Sequence, residues 1–195
     1  MLNMKLTVGI PTFNRAGLLA ETILSVLAQN FTSFRLIVSD NASDDDTPNV
    51  VGSFSDERID YRRSERNVGA IENLNRLIEL AETEFLVLLP DDDILYPDHL
   101  GATVEPLERF ETVGLAHSAC HFIDEQSRVT QRIDPWESLS SVKFVQRDRA
   151  VERLMTAKGD SVSRISCRNR GLCHRPGSDG QRPPSASIAR AIGAS

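Results

Sequence analysis

The chain has 195 residues, 40% of them hydrophobic and 26% charged, with a formal net charge of −6. That length suits one domain with a sizeable core. The acidic balance excludes a general nucleic-acid binder, which needs a basic face to neutralise phosphates, and no run approaches the ~20 apolar residues of a membrane span.

Residues 1–10 hold one lysine and no long apolar stretch, so they do not read as a secretory leader. Residues 5–10 form a short apolar, β-branched run predicted to be a buried strand that Pro11 ends. Over 16–30, Leu19, Ile23, Val26 and Leu27 recur on one helical face. Residues 34–39 read as a second strand, 41–46 as a polar loop, and Thr47-Pro48 as the opening of a short helix. Residues 59–62 form a weak, edge-like strand. A helix over 70–81 is predicted to bury Ile71, Leu74, Ile78 and Ala81. Residues 84–89 are a third strong strand, followed by a helix over 97–110 with Pro97 near its start. A strand over 113–122 follows, with 128–133 pairing beside it, and then a helix over 147–156.

The last 35 residues differ from the rest. Residues 161–195 contain six arginines and one acid, Asp179, no aromatic residue, and five from Leu, Ile, Val and Phe. That apolar share lies below the ~20% that marks disorder. Three readings compete: a native basic interaction arm, a small metal site from Cys167, Cys173 and His174, or a shifted reading frame replacing a lost C-terminal half. The cysteine spacing matches no structural zinc pattern, and the frame shift is preferred because the body stops in mid-architecture. The domain division is therefore 1–160 as the folded unit, incomplete, and 161–195 as a basic tail without fixed structure. Three cysteines in no framework spacing fit a reduced, cytoplasmic protein.

Alternation of strands and helices predicts an α/β fold with a largely parallel sheet. The near-continuous apolar strands agree with burial on both faces. In such sheets ligands bind beyond the carboxyl ends of the strands. Three polar clusters fall there: Pro11-Thr12-Phe13-Asn14-Arg15, Asp40-Asn41-Ala42-Ser43-Asp44 and Asp91-Asp92-Asp93. Adjacent carboxylates raise one another's pKa, a penalty that a divalent cation bridging to a diphosphate removes. Alone, the triplet reads as a solvated turn capping the next helix, Asp40 as a turn cap, Phe13 as core and Asn67 as a helix cap. Their shared edge points instead to one site. His117 and His121, on one face of the predicted 113–122 strand, read as hydrogen-bonded wall residues rather than a metal pair.

The chain resembles the family 2 glycosyltransferases. The resemblance rests on Val8–Arg15, Ser25-Val26-Leu27-Ala28-Gln29-Asn30-Phe31, Ile37–Asp45, Asn67-Val68-Gly69 with Asn73, and Leu89–Leu100 around the acidic triplet. It implies the Rossmann-like nucleotide-diphospho-sugar transferase (GT-A) fold, truncated at its C-terminus, with helices on both faces. By that resemblance Pro11, Thr12 and Phe13 line the base pocket, Asn14 and Asn41 sit beside them, Asp40 binds the base, and Asn67 and Asn73 complete the donor site. Asp91 and Asp92 match the family's DXD-like motif, Pro90 standing where many members have its first aspartate. The resemblance implies Mg2+ or Mn2+ held by these carboxylates, with Asp92 expected as the main ligand and Asp91 assisting. The implied reaction transfers a sugar from a nucleoside-diphosphate sugar to an acceptor hydroxyl of a saccharide or lipid-linked acceptor, with inversion. The protein would be cytoplasmic or peripheral at the inner membrane face. The base in the family lies roughly ninety residues beyond the acidic motif; Asp179 lacks the family context and is not assigned. A truncated, non-catalytic nucleotide-sugar-binding domain is the alternative. A nucleotidyltransferase would need a glycine-rich phosphate loop after the first strand, which is absent here.

Overall fold

The computed structural model of the chain describes residues 4–118, 120–124, 128–133 and 165–168. In chain order the elements are β1 (Leu6–Thr12), α1 (Ala16–Leu27), β2 (Phe34–Asp40), α2 (Thr47–Gly52), β3 (Ile59–Arg63), α3 (Ala70–Leu80), β4 (Phe85–Leu88), α4 (His99–Arg109), β5 (Leu115–His117), β6 (Cys120–Ile123), β7 (Val129–Ile133) and β8 (Ile165–Arg168). Six strands form one sheet in the order β3-β2-β1-β4-β8-β5. β1 is parallel to both β2 and β4, and β2 is parallel to β3. β8 runs antiparallel to β4 and β5, while β6 and β7 make a separate antiparallel pair.

The register explains why the strands are apolar throughout. Leu6 lies beside Phe34 and Phe85, Val8 beside Leu36 and Val87, and Ile10 beside Val38. These residues are buried and share a cluster with Leu19, Ile23 and Val26 of α1 and Leu100, Val104 and Leu107 of α4. The alternate residues of β1 face the opposite layer, where α3 packs on β1 and β2. The parallel strands are thus covered on both faces, as near-continuous apolar runs require.

The α3 layer departs from the periodicity. Ile71, expected in the buried stripe, is 53% exposed, whereas Leu77 and Asn73 are buried. The cause lies in the sheet beneath. A Cβ on Gly9 would stand 3.1 Å from Leu77 Cδ2, so the missing side chain at Gly9 makes the socket that seats Leu77. One turn earlier Asn73 accepts from Ser39 Oγ at 2.7 Å and donates to the Ser39 carbonyl at 2.8 Å. A glycine gap and a polar pair set the rotation of the helix. Gly9→Val should therefore overpack this layer. The expected cost is about 1–3 kcal/mol, read in thermal melts as a fall of roughly 2–12 °C.

Other boundaries shift for local reasons. α1 ends at Leu27 rather than 30 because the backbone leaves the helical ladder: Gln29 N turns to the Val26 carbonyl at 3.2 Å and Asn30 N donates to the Pro97 carbonyl at 2.9 Å. Pro97 stands outside α4, whose N-cap residue is Asp98. The predicted strand over 113–122 is two strands in different sheets, β5 and β6. His117 and His121 therefore do not share a strand face; His121 Nδ1 instead pairs with the Tyr96 hydroxyl at 2.8 Å. The pairing of 128–133 beside the preceding strand takes the form of the β6–β7 ladder. Ile165–Arg168, inside the stretch expected to lack structure, forms β8. The predicted helix over 147–156 and Cys173, His174 and Asp179 lie outside the described residues.

Candidate functional site

β1 is the point where the sheet reverses direction: β2 and β3 are added on one side and β4 on the other. Crevices at such switch points are where open α/β sheets bind ligands. Because β1, β2 and β4 are parallel, the loops at 13–15, 41–46 and 90–97 all leave by the same edge. Thr12 is the register partner of Asp40.

On the β4 side of the crevice, Thr12 Oγ1 donates to Asp91 Oδ2 at 2.7 Å in a buried contact. Arg15 Nη1 stands 3.3 Å from Asp91 Oδ1 and 2.9 Å from Asp92 Oδ2. Asp91 is 7% exposed, and its carboxyl is pushed above the ordinary aspartate range. Burial is the largest cause and the Asp92 charge adds to it, while the Thr12 hydroxyl and Arg15 oppose them. Asp92 is half-exposed. The loop that carries both is stitched to α1, with Ser25 Oγ accepting from Leu95 N at 3.1 Å and Gln29 Nε2 donating to the Tyr96 carbonyl at 2.7 Å. Ser25 and Gln29 thereby hold the acidic turn at the crevice.

On the β2 side, Asp40 is completely buried. Its Oδ1 accepts from Ser43 N at 2.8 Å and Ser43 Oγ at 2.6 Å. Its Oδ2 accepts from the Tyr61 hydroxyl at 2.5 Å and lies 3.5 Å from Arg63 Nε. Burial, reinforced by the bond to Asp40, raises the Tyr61 hydroxyl pKa above the ordinary tyrosine range, so it stays a donor. The turn closed by Asp40 holds Ala42 at φ 66°, in the left-handed region. Asn14, also left-handed at φ 54°, donates from its backbone to Ser43 Oγ at 2.9 Å and accepts from Asp44 N at 2.8 Å. Asp45 Oδ2 accepts from Ala16 N, the first amide of α1, at 3.0 Å. Asn41 Nδ2 donates to Asn67 Oδ1, and Asn41 Oδ1 accepts from Val68 N.

The candidate residues therefore separate into two kinds. Phe13, 41% exposed, together with Asn14, Asn67 and Asp92 reach the surface of the crevice. Thr12, Asp40, Asn41, Asn73 and Asp91 are buried supports, and Pro11 lies between. Asn73 sits behind β2 on Ser39 rather than in the crevice. Composition and motif order left Arg15, Ser43, Tyr61 and Arg63 without assigned roles. The Asp40-x-x-Ser43 spacing is a readable turn pattern; nothing in the sequence pairs Tyr61 with Asp40.

The donor set suits a hard divalent cation. Asp91 Oδ1 and Asp92 Oδ2 already converge on one positively charged nitrogen. Mg2+ and Mn2+ are commonly held by one or two carboxylates, with phosphate oxygens completing the sphere. Among the described residues no group of three or more His, Cys, Asp or Glu side chains is arranged to enclose a metal.

The Glycosyl transferase family 2 model matches residues 7–165, most of the chain. The protein belongs to glycosyltransferase family 2. A similar curated relative is the GalNAc(5)-diNAcBac-PP-undecaprenol beta-1,3-glucosyltransferase of Campylobacter jejuni. It is 38% identical over 116 residues, which cover 58% of this chain and 36% of that protein. Among solved structures, the mannosyltransferase PcManGT from Pyrobaculum calidifontis, in complex with GDP-Man and Mn2+, matches with TM-score 0.53 and 27% identity over 57% of this chain and 34% of that one. TarS of S. aureus in complex with UDP-GlcNAc matches with TM-score 0.52 and 25% identity over 55% and 32%. The fold is accordingly the GT-A glycosyltransferase fold. The chain spans about a third of the length of the curated relative described above.

Proposed function

We propose that the crevice between β1 and β4 binds a nucleoside-diphosphate sugar together with Mg2+ or Mn2+, and that the protein transfers the sugar to an acceptor hydroxyl with inversion. The observation that carries this is the convergence of Asp91 and Asp92 on one cation position at the switch point of a GT-A sheet. When bound, the metal supplies positive charge to the departing diphosphate. The chain's own residues prepare the position. Thr12 fixes one Asp91 oxygen and leaves the other facing the crevice, while Ser25 and Gln29 hold the loop that carries Asp92.

Phe13, exposed in the loop that follows β1, offers a ring for stacking on the base. Asp40 is completely buried and already accepts from Ser43 and Tyr61. For it to bind the base, Tyr61 or Arg63 would have to give way; otherwise it acts by holding the 41–46 loop. The acceptor is a saccharide, free or lipid-linked. The Campylobacter relative's name, with its undecaprenol diphosphate, supports the lipid-linked form. Among the described residues no helix is long and apolar enough to cross a membrane.

Calorimetric titration with UDP and GDP, with and without Mn2+, tests the donor site. Metal-dependent binding of one of the two is expected, and its absence with both overturns the proposal. A companion assay for release of nucleoside diphosphate from the donor separates transfer from a domain that only binds.

A further inference from the structure

Arg15 is exposed and stands at the N-cap position of α1, but its side chain makes no capping hydrogen bond there and turns instead to the acids of the crevice. One of its nitrogens stands between Asp91 Oδ1 and Asp92 Oδ2, the position at which a divalent cation would bridge the same two oxygens. The other Asp91 oxygen is held by Thr12, so guanidinium and metal would compete for Oδ1. The backbone at this point is pinned on both sides. Asn14 is tied to Ser43 and Asp44, and Ala16 N to Asp45. The Arg15 side chain itself is half-exposed. Exchange therefore requires a rotation of one side chain and no movement of the loop.

We infer that Arg15 is a positioning residue that couples metal binding to nucleotide binding; this rests on the donor-site reading above. Without ligand, the guanidinium relieves the repulsion between Asp91 and Asp92 and occupies the cation position. Free metal must displace it and leave it without those partners. When metal arrives with a diphosphate, the displaced guanidinium finds phosphate oxygens next to it, and its planar fork of donors matches them. The cost of displacement falls on metal alone and is recovered when the nucleotide is present. Reciprocity of linkage then makes the nucleotide depend on metal to the same degree.

The test is a binding cycle on the full 195-residue chain: Mn2+ affinity by electron paramagnetic resonance, with and without saturating UDP or GDP, in wild type, Arg15→Gln and Asp92→Ala. Arg15→Met, which keeps the aliphatic stem, reads the same quantities if the glutamine form does not fold. Removing the guanidinium is expected to tighten Mn2+ binding in the absence of nucleotide by about 2- to 5-fold, the range for displacing an exposed ion pair. It is also expected to reduce the enhancement by nucleotide by about tenfold, since the phosphate loses a charge-assisted partner. A merely structural role for Arg15 would not tighten metal binding. Wild-type values for both quantities in the Arg15 variant, with Mn2+ binding lost in Asp92→Ala, would overturn the coupling and leave the metal site standing. Mn2+ binding unaffected by Asp92→Ala would overturn the site and the coupling together.

Discussion

Asp92→Ala is expected to weaken Mn2+-dependent nucleotide binding by about 100-fold or more. Loss of a group that merely orients a ligand costs 10- to 100-fold in metal affinity, and a direct ligand should cost no less. Stability should hardly change. Asp92 is half-exposed and its ion pair with Arg15 is on the surface, where such pairs contribute about 0–1 kcal/mol. The variant therefore separates binding from folding, and calorimetry beside a thermal melt checks it. Full-strength metal-dependent binding in this variant would remove Asp92 from the cation site. A large fall in melting temperature would show that the acidic turn stabilises the fold itself.

Asp40→Ala should behave in the opposite way. The carboxylate is buried and accepts from Ser43 N, Ser43 Oγ and the Tyr61 hydroxyl, with Arg63 close by. Removing it leaves several buried donors without an acceptor and releases the turn that holds Ala42 left-handed. A loss of about 3 kcal/mol is expected from stranding buried partners of a charge, a fall of roughly 6–12 °C for a chain of this size. Nucleotide binding should be lost as well, because Asn14 is anchored on the same loop through Ser43 and Asp44. Denaturant melts of the variant and of Asp40→Asn, beside nucleotide titrations, check this. Unchanged stability with lost binding would mean that Asp40 meets the ligand directly.

The contrast between these two aspartates shows what the sequence makes legible. Three apolar runs, each followed by a polar cluster, were enough to place the 13–15, 41–46 and 90–97 loops on one edge, because parallel strands leave no other arrangement. The order of motifs pointed to family 2 and to the GT-A fold, and the family match agrees. Which acid faces solvent was not legible, since that depends on Tyr61 and Thr12 reaching across strands. The rotation of α3 was hidden because its cause, the gap at Gly9, lies in another element. The break between β5 and β6 and the strand at Ile165–Arg168 were missed for a related reason. Short strands whose partners lie far along the chain carry little local periodicity.

The place of β8 has a consequence for how the chain is made. β1, β2, β3 and β4 pair through parallel neighbours connected by single helices, and they supply the entire acidic crevice. Among the described residues, however, β4 and β5 are joined in the sheet through β8, and the chain runs from Leu88 to Ile165 before that strand begins. Until then β4 lacks its β8 partner, and an unpaired apolar strand edge is the kind of template on which unfinished chains pair with one another. On the ribosome the strands of the donor end are thus made early, while the β8 partner of β4, the last of the described strands, is made late.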